Sequence, residues 1–412
     1  MAVIFAGFRG GVAEDTTAPQ TARLARRILL GSASKEEVLA HLESSLWPRT
    51  LSAVVNNACN LKCRHCYLQV DHLTEPALTI EEWEKLLGSV SKSGVNLVTL
   101  AGKEVFLGNM GRQVLELMAR MRRTANGSIF RTGVVTNGTL LAPSRDLLLG
   151  SDLSYLDISV DGIPADHDAI RGSGAFDKAL PNIRWAASEF AEDFHVTCTL
   201  QRQNAAKVVE MAGFFDGLNV ENLGFGFYHP LPYTDASLCL ERAHIDAIFD
   251  SLAGLENLAL DHLRCVNLDV GMIELSLFDA FLSSCWFDLD LIRTDKSGEV
   301  FIGHTLANGL KLNFRFAPFP TSVYLSSRIT PEGNYLAPAD TLDAKHYAKR
   351  TLCTARENDF DFARMHAKAR ASSRLRELVE EYWTTTAPFL RAPFPAGRPA
   401  ATLEKAELAL IP

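Results

Sequence analysis

From Leu51 onward, short apolar runs rich in β-branched residues alternate with longer stretches whose apolar positions recur at helical spacing. That pattern predicts βα units building a parallel sheet, since strands roofed by helices are apolar while the roofing helices need only one apolar stripe. Six such repeats are present. Strands are predicted at Ser52–Asn56, Asn96–Leu100, Arg131–Thr136, Tyr155–Val160, His195–Leu200 and Leu223–Tyr228, each about as long as a buried strand. Helices are predicted near Thr79–Lys92, Met110–Thr124, Ser144–Leu149, Phe176–Glu192 and Ala205–Asp216, and Thr79 with Glu82 makes a capping-box pattern at the first of them.

The flanks read differently. Before Leu51, helical patterns over Thr21–Leu30 and Ser34–Leu46 end at Pro48 and form a helical preface, residues 1–50. After Tyr228 the alternation fails: Pro230 and Pro232 lead to a helix near Arg242–Leu252 and then a less regular stretch. Leu291–Gly303 and Ser327–Pro338 each read as strand, Gly turn, strand. A charged helical region over Ala344–Trp383 precedes a tail with four prolines between Pro388 and Pro399, expected to be extended or disordered. The expected fold class is α/β: a partial (β/α)6 TIM-like barrel over residues 51–235, the preface before it, a smaller α+β region over 236–385 and the tail, 386–412.

Composition narrows the chemistry. With 412 residues, 47% of them hydrophobic, the chain can bury more core than a small domain needs. A net charge of −8 and no long Lys or Arg run leave no stripe to track phosphates, so nucleic acid is not an expected partner. No run of eighteen apolar residues occurs and Met1–Gly11 is too short and too weakly charged for a secretory signal. The expectation is a cytoplasmic protein without a membrane partner. Eight cysteines in such a chain point to metal binding or catalysis rather than to disulfides.

Three of them, Cys59, Cys63 and Cys66, fall within eight residues just after the first predicted strand, where the C-terminal end of a barrel strand presents its loop. Three thiols so close can wrap one corner of a cubane iron–sulfur cluster and leave the fourth iron open for chemistry. A zinc knuckle completed by His65 or His72 is the alternative reading of the same residues.

Cys59-Asn-Leu-Lys-Cys63-Arg-His-Cys66 resembles the Cys-x3-Cys-x2-Cys pattern of the radical S-adenosylmethionine (SAM) superfamily, with His65 at its aromatic position. Ala101-Gly-Lys-Glu-Val105 resembles the family's Gly-Gly-Glu-Pro motif, keeping Gly102 and Glu104 and departing at Lys103 and Val105. Thr136-Asn-Gly-Thr139 resembles the third-strand motif. Asp157-Ile-Ser-Val-Asp-Gly162, followed by His167 and Arg171-Gly172, resembles the fourth-strand segment of the SPASM branch. The resemblance implies a [4Fe-4S] cluster on the three cysteines and SAM held by His65, Gly102, Glu104, Asn137, Ser159 and Arg171. Glu104 would face the SAM amino group, and Ser159 and Arg171 its carboxylate or ribose. It also implies an external one-electron reductant such as flavodoxin or ferredoxin, and hydrogen abstraction from a small-molecule or peptide substrate.

The plainer readings are that Asn137-Gly138 is an ordinary turn and that Arg171 caps a helix or pairs with Asp168. The SPASM signature of Cys, nine to fifteen residues, Gly, four residues, Cys is half kept: Cys285 and Gly298 match, but Gly303 stands at the second cysteine and Pro338 where another is expected. The C-terminal region is therefore read as SPASM-like in fold and poor in metal ligands, favouring redox-neutral chemistry such as epimerisation, rearrangement or bond formation. Cys239, Cys265, Cys285 and Cys353 are candidate hydrogen donors to a substrate radical, or ligands of a second cluster; Cys198 reads as a core residue. Tyr228 and His229 are candidate substrate contacts. A peptide maturase with an auxiliary cluster and a non-catalytic iron–sulfur redox sensor are the competing functions.

Overall fold

The computed structural model describes residues 18–44, 50–68, 76–125, 129–190, 193–230, 234–294, 300–315, 326–336 and 351–384, apart from 374–375, 378–379 and 381–382. His72, Gly298, Pro338 and the Pro-rich tail lie outside them. In chain order come α1 (Ala18–Leu29), α2 (Lys35–Ser44), β1 (Thr50–Ala53), α3 (Ile80–Val90), β2 (Leu97–Leu100), α4 (Met110–Thr124), β3 (Arg131–Thr136) and α5 (Arg145–Leu149). Then follow β4 (Tyr155–Ser159), α6 (Pro164–Arg171), α7 (Ala175–Glu189), β5 (Phe194–Leu200), α8 (Val208–Asp216), β6 (Asn222–Phe227), α9 (Arg242–Ser251), β7 (Cys265–Asp269) and α10 (Asp279–Ser283). The chain closes with β8 (Ile292–Thr294), β9 (Val300–Thr305), β10 (Lys311–Arg315), β11 (Ser326–Ile329), β12 (Asn334–Leu336), β13 (Thr351–Thr354) and α11 (Phe362–Ala371).

Among the described residues all thirteen strands belong to one sheet, ordered β13-β12-β11-β1-β2-β3-β4-β5-β6-β7-β10-β9-β8. The six predicted strands are its centre, sequential and parallel throughout. The ends of the order, β13 and β8, are not paired with each other, so the barrel is partial. Outward positions such as Val98, Leu156, Ile158, Val196, Phe225 and Phe227 join the helices in one continuous core. Helix α3 shows the cause: Trp83, Leu86, Leu87 and Val90 form its buried stripe, each contributing about 1.5–3 kcal/mol by leaving water. Its capping box is formed, with Glu82 N–H to Thr79 Oγ1 at 3.3 Å and Thr79 N–H to Glu82 Oε2 at 2.9 Å.

The C-terminal strands do not stack into a layer of their own. β7 adds in parallel to β6, β10 adds in parallel to β7, and the antiparallel β10-β9-β8 ribbon continues that edge. On the opposite edge β11 adds in parallel to β1 and carries β12 and β13. The two Gly-turn segments thus close opposite ends of the barrel sheet. Strand β7 falls in the stretch that reads as irregular, because Cys265-Val-Asn-Leu-Asp269 is short and puts only Val266 and Leu268 into the outer core. Its polar positions face the lumen and Val266 and Leu268 face the helices. The expected charged helix over 344–383 is likewise corrected: its described part holds strand β13, rich in Thr, before α11 begins under an Asp361 cap. Helix α1 lies against β8 and β9, and Arg26 reaches Asp290 at 2.7 Å. Among the described residues no helix is long and apolar enough to cross a membrane.

Candidate active site

Parallel strands deliver their following loops to one end of the sheet. Past β1 the chain stays extended, Val54 N–H bonding Ile329 O at 2.9 Å, and then enters the loop that carries the three thiols. Asn56 anchors that loop to the one after β2, its Nδ2 donating to Glu104 O at 2.8 Å and its Oδ1 accepting from Ala58 N–H at 3.1 Å. Glu104 N–H in turn donates to Ala58 O at 3.2 Å. Asn60 anchors it to the loop after β3, donating to Thr139 Oγ1 at 2.8 Å and accepting from Asn137 Nδ2 at 3.0 Å. Arg64 ties it to α6 and to the segment after β6, through Ile170 O at 3.0 Å, Asp235 Oδ2 at 2.8 Å and Ser237 Oγ at 3.0 Å.

Within the loop a turn bonds Cys66 N–H to Cys63 O at 3.1 Å, and Cys59 Sγ accepts from Leu61 N–H at 3.4 Å with Asn137 Nδ2 at 3.9 Å. Burial pushes the Cys63 thiol up to about 12, opposed by the nearby Arg171, and burial also raises Cys59. Both feel the charge of Cys66. A coordinating metal would deprotonate such thiols outright, and N–H groups directed at the sulfurs are what tunes a bound cluster. The donor set fits an iron–sulfur cluster. Among the described residues no three Cys, His, Asp or Glu side chains form a preformed site for a single metal ion.

The other sequence-predicted residues gather at the same mouth. Gly102 has φ +83°, and a Cβ there would meet Val54 Cγ2 at 3.0 Å. Lys103 keeps the left-handed backbone at φ +48°, a conformation that costs a residue with a Cβ on the order of 1 kcal/mol. The motif's shape therefore survives the loss of its second glycine. Glu104 is fully buried: its carboxylate accepts from Phe106 N–H at 3.0 Å, Thr136 Oγ1 at 2.7 Å and Asn137 N–H at 2.9 Å. The carboxylate thus braces the β2 loop against the β3 loop, with burial raising its pKa. Asn137 is more than a turn residue, since its amide bonds the cysteine loop on one side and Thr139 on the other.

Ser159 ends β4 half-exposed, and its hydroxyl bonds no other described side chain. Arg171 pairs with Asp161, Nε to Oδ2 at 2.5 Å. The alternative partner Asp168 instead caps α7, accepting from Gly174 N–H at 2.6 Å and Phe176 N–H at 2.9 Å. His65 Nδ1 lies 3.6 Å from Asp161 Oδ2, too long for a hydrogen bond, and burial lowers its pKa to about 4, leaving it neutral. His167 Nδ1 accepts the Asp161 N–H at 3.2 Å. Below this layer polar pairs lie beside a small apolar cluster of Leu97, Ala101, Val135 and Tyr155: Tyr155 Oη meets Thr99 Oγ1 at 2.6 Å, and Thr197 Oγ1 donates to Asp157 Oδ2 at 2.7 Å. Gln201, fully buried after β5, has neither its amide oxygen nor its nitrogen bonded.

The remaining thiols disperse. Cys239 lies half-buried beside Ile170, Tyr228 and Leu238, in the segment Arg64 holds. Cys265 opens β7 at the opposite end of the lumen, with Asn313 Nδ2 at 3.3 Å from its sulfur. Cys285 is exposed, Cys353 is buried on β13 against Met365 O, and Cys198 packs outward on Met211 Sδ at 3.7 Å. Tyr228 spends its hydroxyl on Thr234 and Asp235, and His229 is exposed. The anchors Asn56, Asn60, Arg64 and Asp161 are not among the residues singled out from sequence. Their only signal is polarity inside or beside the motifs.

Residues 54–215 match the family model described as the Radical SAM superfamily. Over 177 residues the chain is 33% identical to Fe-coproporphyrin III synthase of Methanosarcina barkeri, covering 42% of this chain and 41% of that protein. Over 191 residues it is 25% identical to the antilisterial bacteriocin subtilosin biosynthesis protein AlbA of Bacillus subtilis, covering 45% and 41%. The matched stretch thus spans about two fifths of the length of these curated relatives. In fold the chain resembles Streptococcus suis SuiB bound to its precursor peptide SuiA, with a TM-score of 0.51 at 15% identity over 74% of this chain and 62% of that one. The three-thiol loop lies at the start of the matched stretch, so residues 54–215 carry this chain's likeness to the radical SAM superfamily.

Proposed function

We propose that the protein is an enzyme that cleaves SAM reductively and abstracts hydrogen from a small-molecule or peptide substrate in a biosynthetic pathway. The observation that carries this reading is the loop of Cys59, Cys63 and Cys66, pinned at the barrel mouth by Asn56, Asn60 and Arg64 to the loops that bear Glu104, Asn137 and Arg171. A reduced [4Fe-4S] cluster with SAM supplies one-electron cleavage of a carbon–sulfur bond and a radical able to take a hydrogen atom. The three thiols would hold the cluster, and Ser159 and Arg171 would meet the carboxylate or ribose of SAM. The buried polar groups of Asp157, Thr197 and Gln201 suit a substrate with hydrogen-bonding groups. A flavodoxin- or ferredoxin-like reductant in a reducing cytoplasm would supply the electron. Among the scattered thiols, Cys239 is the hydrogen-donor candidate that shares this end of the barrel.

The test is Cys63→Ala in anaerobically reconstituted protein: iron and sulfide binding should fall to background, and visible absorbance with it. Retention of a full cluster by the variant would contradict the assignment. A second reading, maturation of a ribosomal peptide, is favoured by AlbA, a bacteriocin biosynthesis protein, and by SuiB, solved with a precursor peptide. An auxiliary cluster would be its mark. The dispersal of Cys265, Cys285 and Cys353 over separate elements supports a single-cluster enzyme instead.

A further inference from the structure

Asp161 stands where three loops meet. Its Oδ1 accepts the Thr199 N–H of β5 at 3.0 Å; its Oδ2 lies 2.5 Å from Arg171 Nε on α6 and 3.6 Å from His65 of the cysteine loop. Both members of the ion pair are buried, so neither charge is hydrated and each depends on the other. Arg171 holds the Asp161 carboxyl well below the usual carboxylate range, and Asp161 and Cys63 both raise Arg171. A guanidinium carries five N–H donors in one rigid plane, and Asp161 takes only the Nε–H. Gripping Nε fixes the plane and leaves the fork at the far end for another anion.

We propose that Asp161 is a positioning residue for the cofactor: by holding Arg171 Nε against β5 and standing beside His65, it aims the guanidinium fork at the SAM carboxylate. This rests on the SAM-binding reading above and adds to it a residue that acts through Arg171 rather than on SAM itself.

A double-mutant cycle on SAM affinity tests it, by calorimetric titration of SAM into the anaerobically reconstituted full chain. Asp161→Asn and Arg171→Ala should each weaken SAM binding by about 10- to 100-fold, the scale of losing a supporting partner. The double variant should bind no more weakly than Arg171→Ala alone, since the two act as one unit. Additive losses, or an unchanged affinity in Asp161→Asn, would overturn the proposal. Iron content controls for folding. If Asp161→Asn loses its iron, Arg171→Lys decides, because Lys keeps the charge but not the gripped Nε–H: a loss as large as that of Arg171→Ala supports positioning, and near-native affinity refutes it. A wild-type protein that binds no SAM would instead overturn the proposed function.

Discussion

Asp157 shows how much one residue's surroundings decide. It lies two positions before Ser159 on the lumen face of β4, and burial pushes its carboxyl up to about 7, opposed by the Thr197 hydroxyl and by Arg171. The ordinary value is 3.8, so between about pH 4 and about pH 7 the unfolded chain has released this proton while the folded chain still holds it. Stability should fall as pH rises through that window and level off above it. Asp157→Asn should therefore flatten the decline in melting temperature between pH 5 and pH 8, raising it at pH 8 by a few degrees relative to wild type. Identical slopes in the two proteins would mean that Asp157 is already ionised at pH 5. Glu104 makes the complementary point: its presence in a motif is legible in the sequence, but three donors from two loops converge on it, and no spacing in the chain reveals that.

At the scale of elements, the lumen is shaped by exchanges between neighbouring strands. Gly133 on β3 leaves the space that the Tyr155 ring of β4 occupies; a Cβ at 133 would lie 2.0 Å from Tyr155 Cε1. Gly133→Ala should cost about 1–3 kcal/mol, as overpacking does, read as a lower urea midpoint. In a Tyr155→Ala background the same substitution should cost little; an equal cost there would place the strain elsewhere. The strands and helices that follow strict apolar periodicity, β2 to β6 and α3, α4 and α8, are legible because one face of each is buried against the same core. Strand β7 is not, because it is short and has only Val266 and Leu268 on the core face, while its buried Asn267 and Asp269 read as surface residues. The cysteine loop is the reverse case, invisible to periodicity and specified by spacing alone.

For the whole molecule, the C-terminal region is part of the site rather than an appendage to it. Strand β11 pairs with β1 and carries Arg328, whose guanidinium lies 5.6 Å from the Tyr67 ring and bonds its hydroxyl at 3.2 Å, immediately after Cys66. Arg356 reaches back to Glu82 at 2.8 Å and to Pro76 O at 2.8 Å. The sequence shows two Gly-turn segments but not that they cap opposite edges of one sheet, because parallel pairing across nearly 280 residues leaves no local trace. The same contacts mean that the cysteine loop is gripped from both sides, by β11 and by the loops after β2, β3 and β6, which is what a site must do to keep three thiols in register for a cluster. The most direct test of this account is 5′-deoxyadenosine formation from SAM by the reconstituted full chain under strong anaerobic reductant, comparing wild type with the Cys59/Cys63/Cys66 triple Ala variant. The account predicts 5′-deoxyadenosine from wild type and none above background from the variant; equal formation by both, or none by a wild-type protein that holds its cluster, would contradict it.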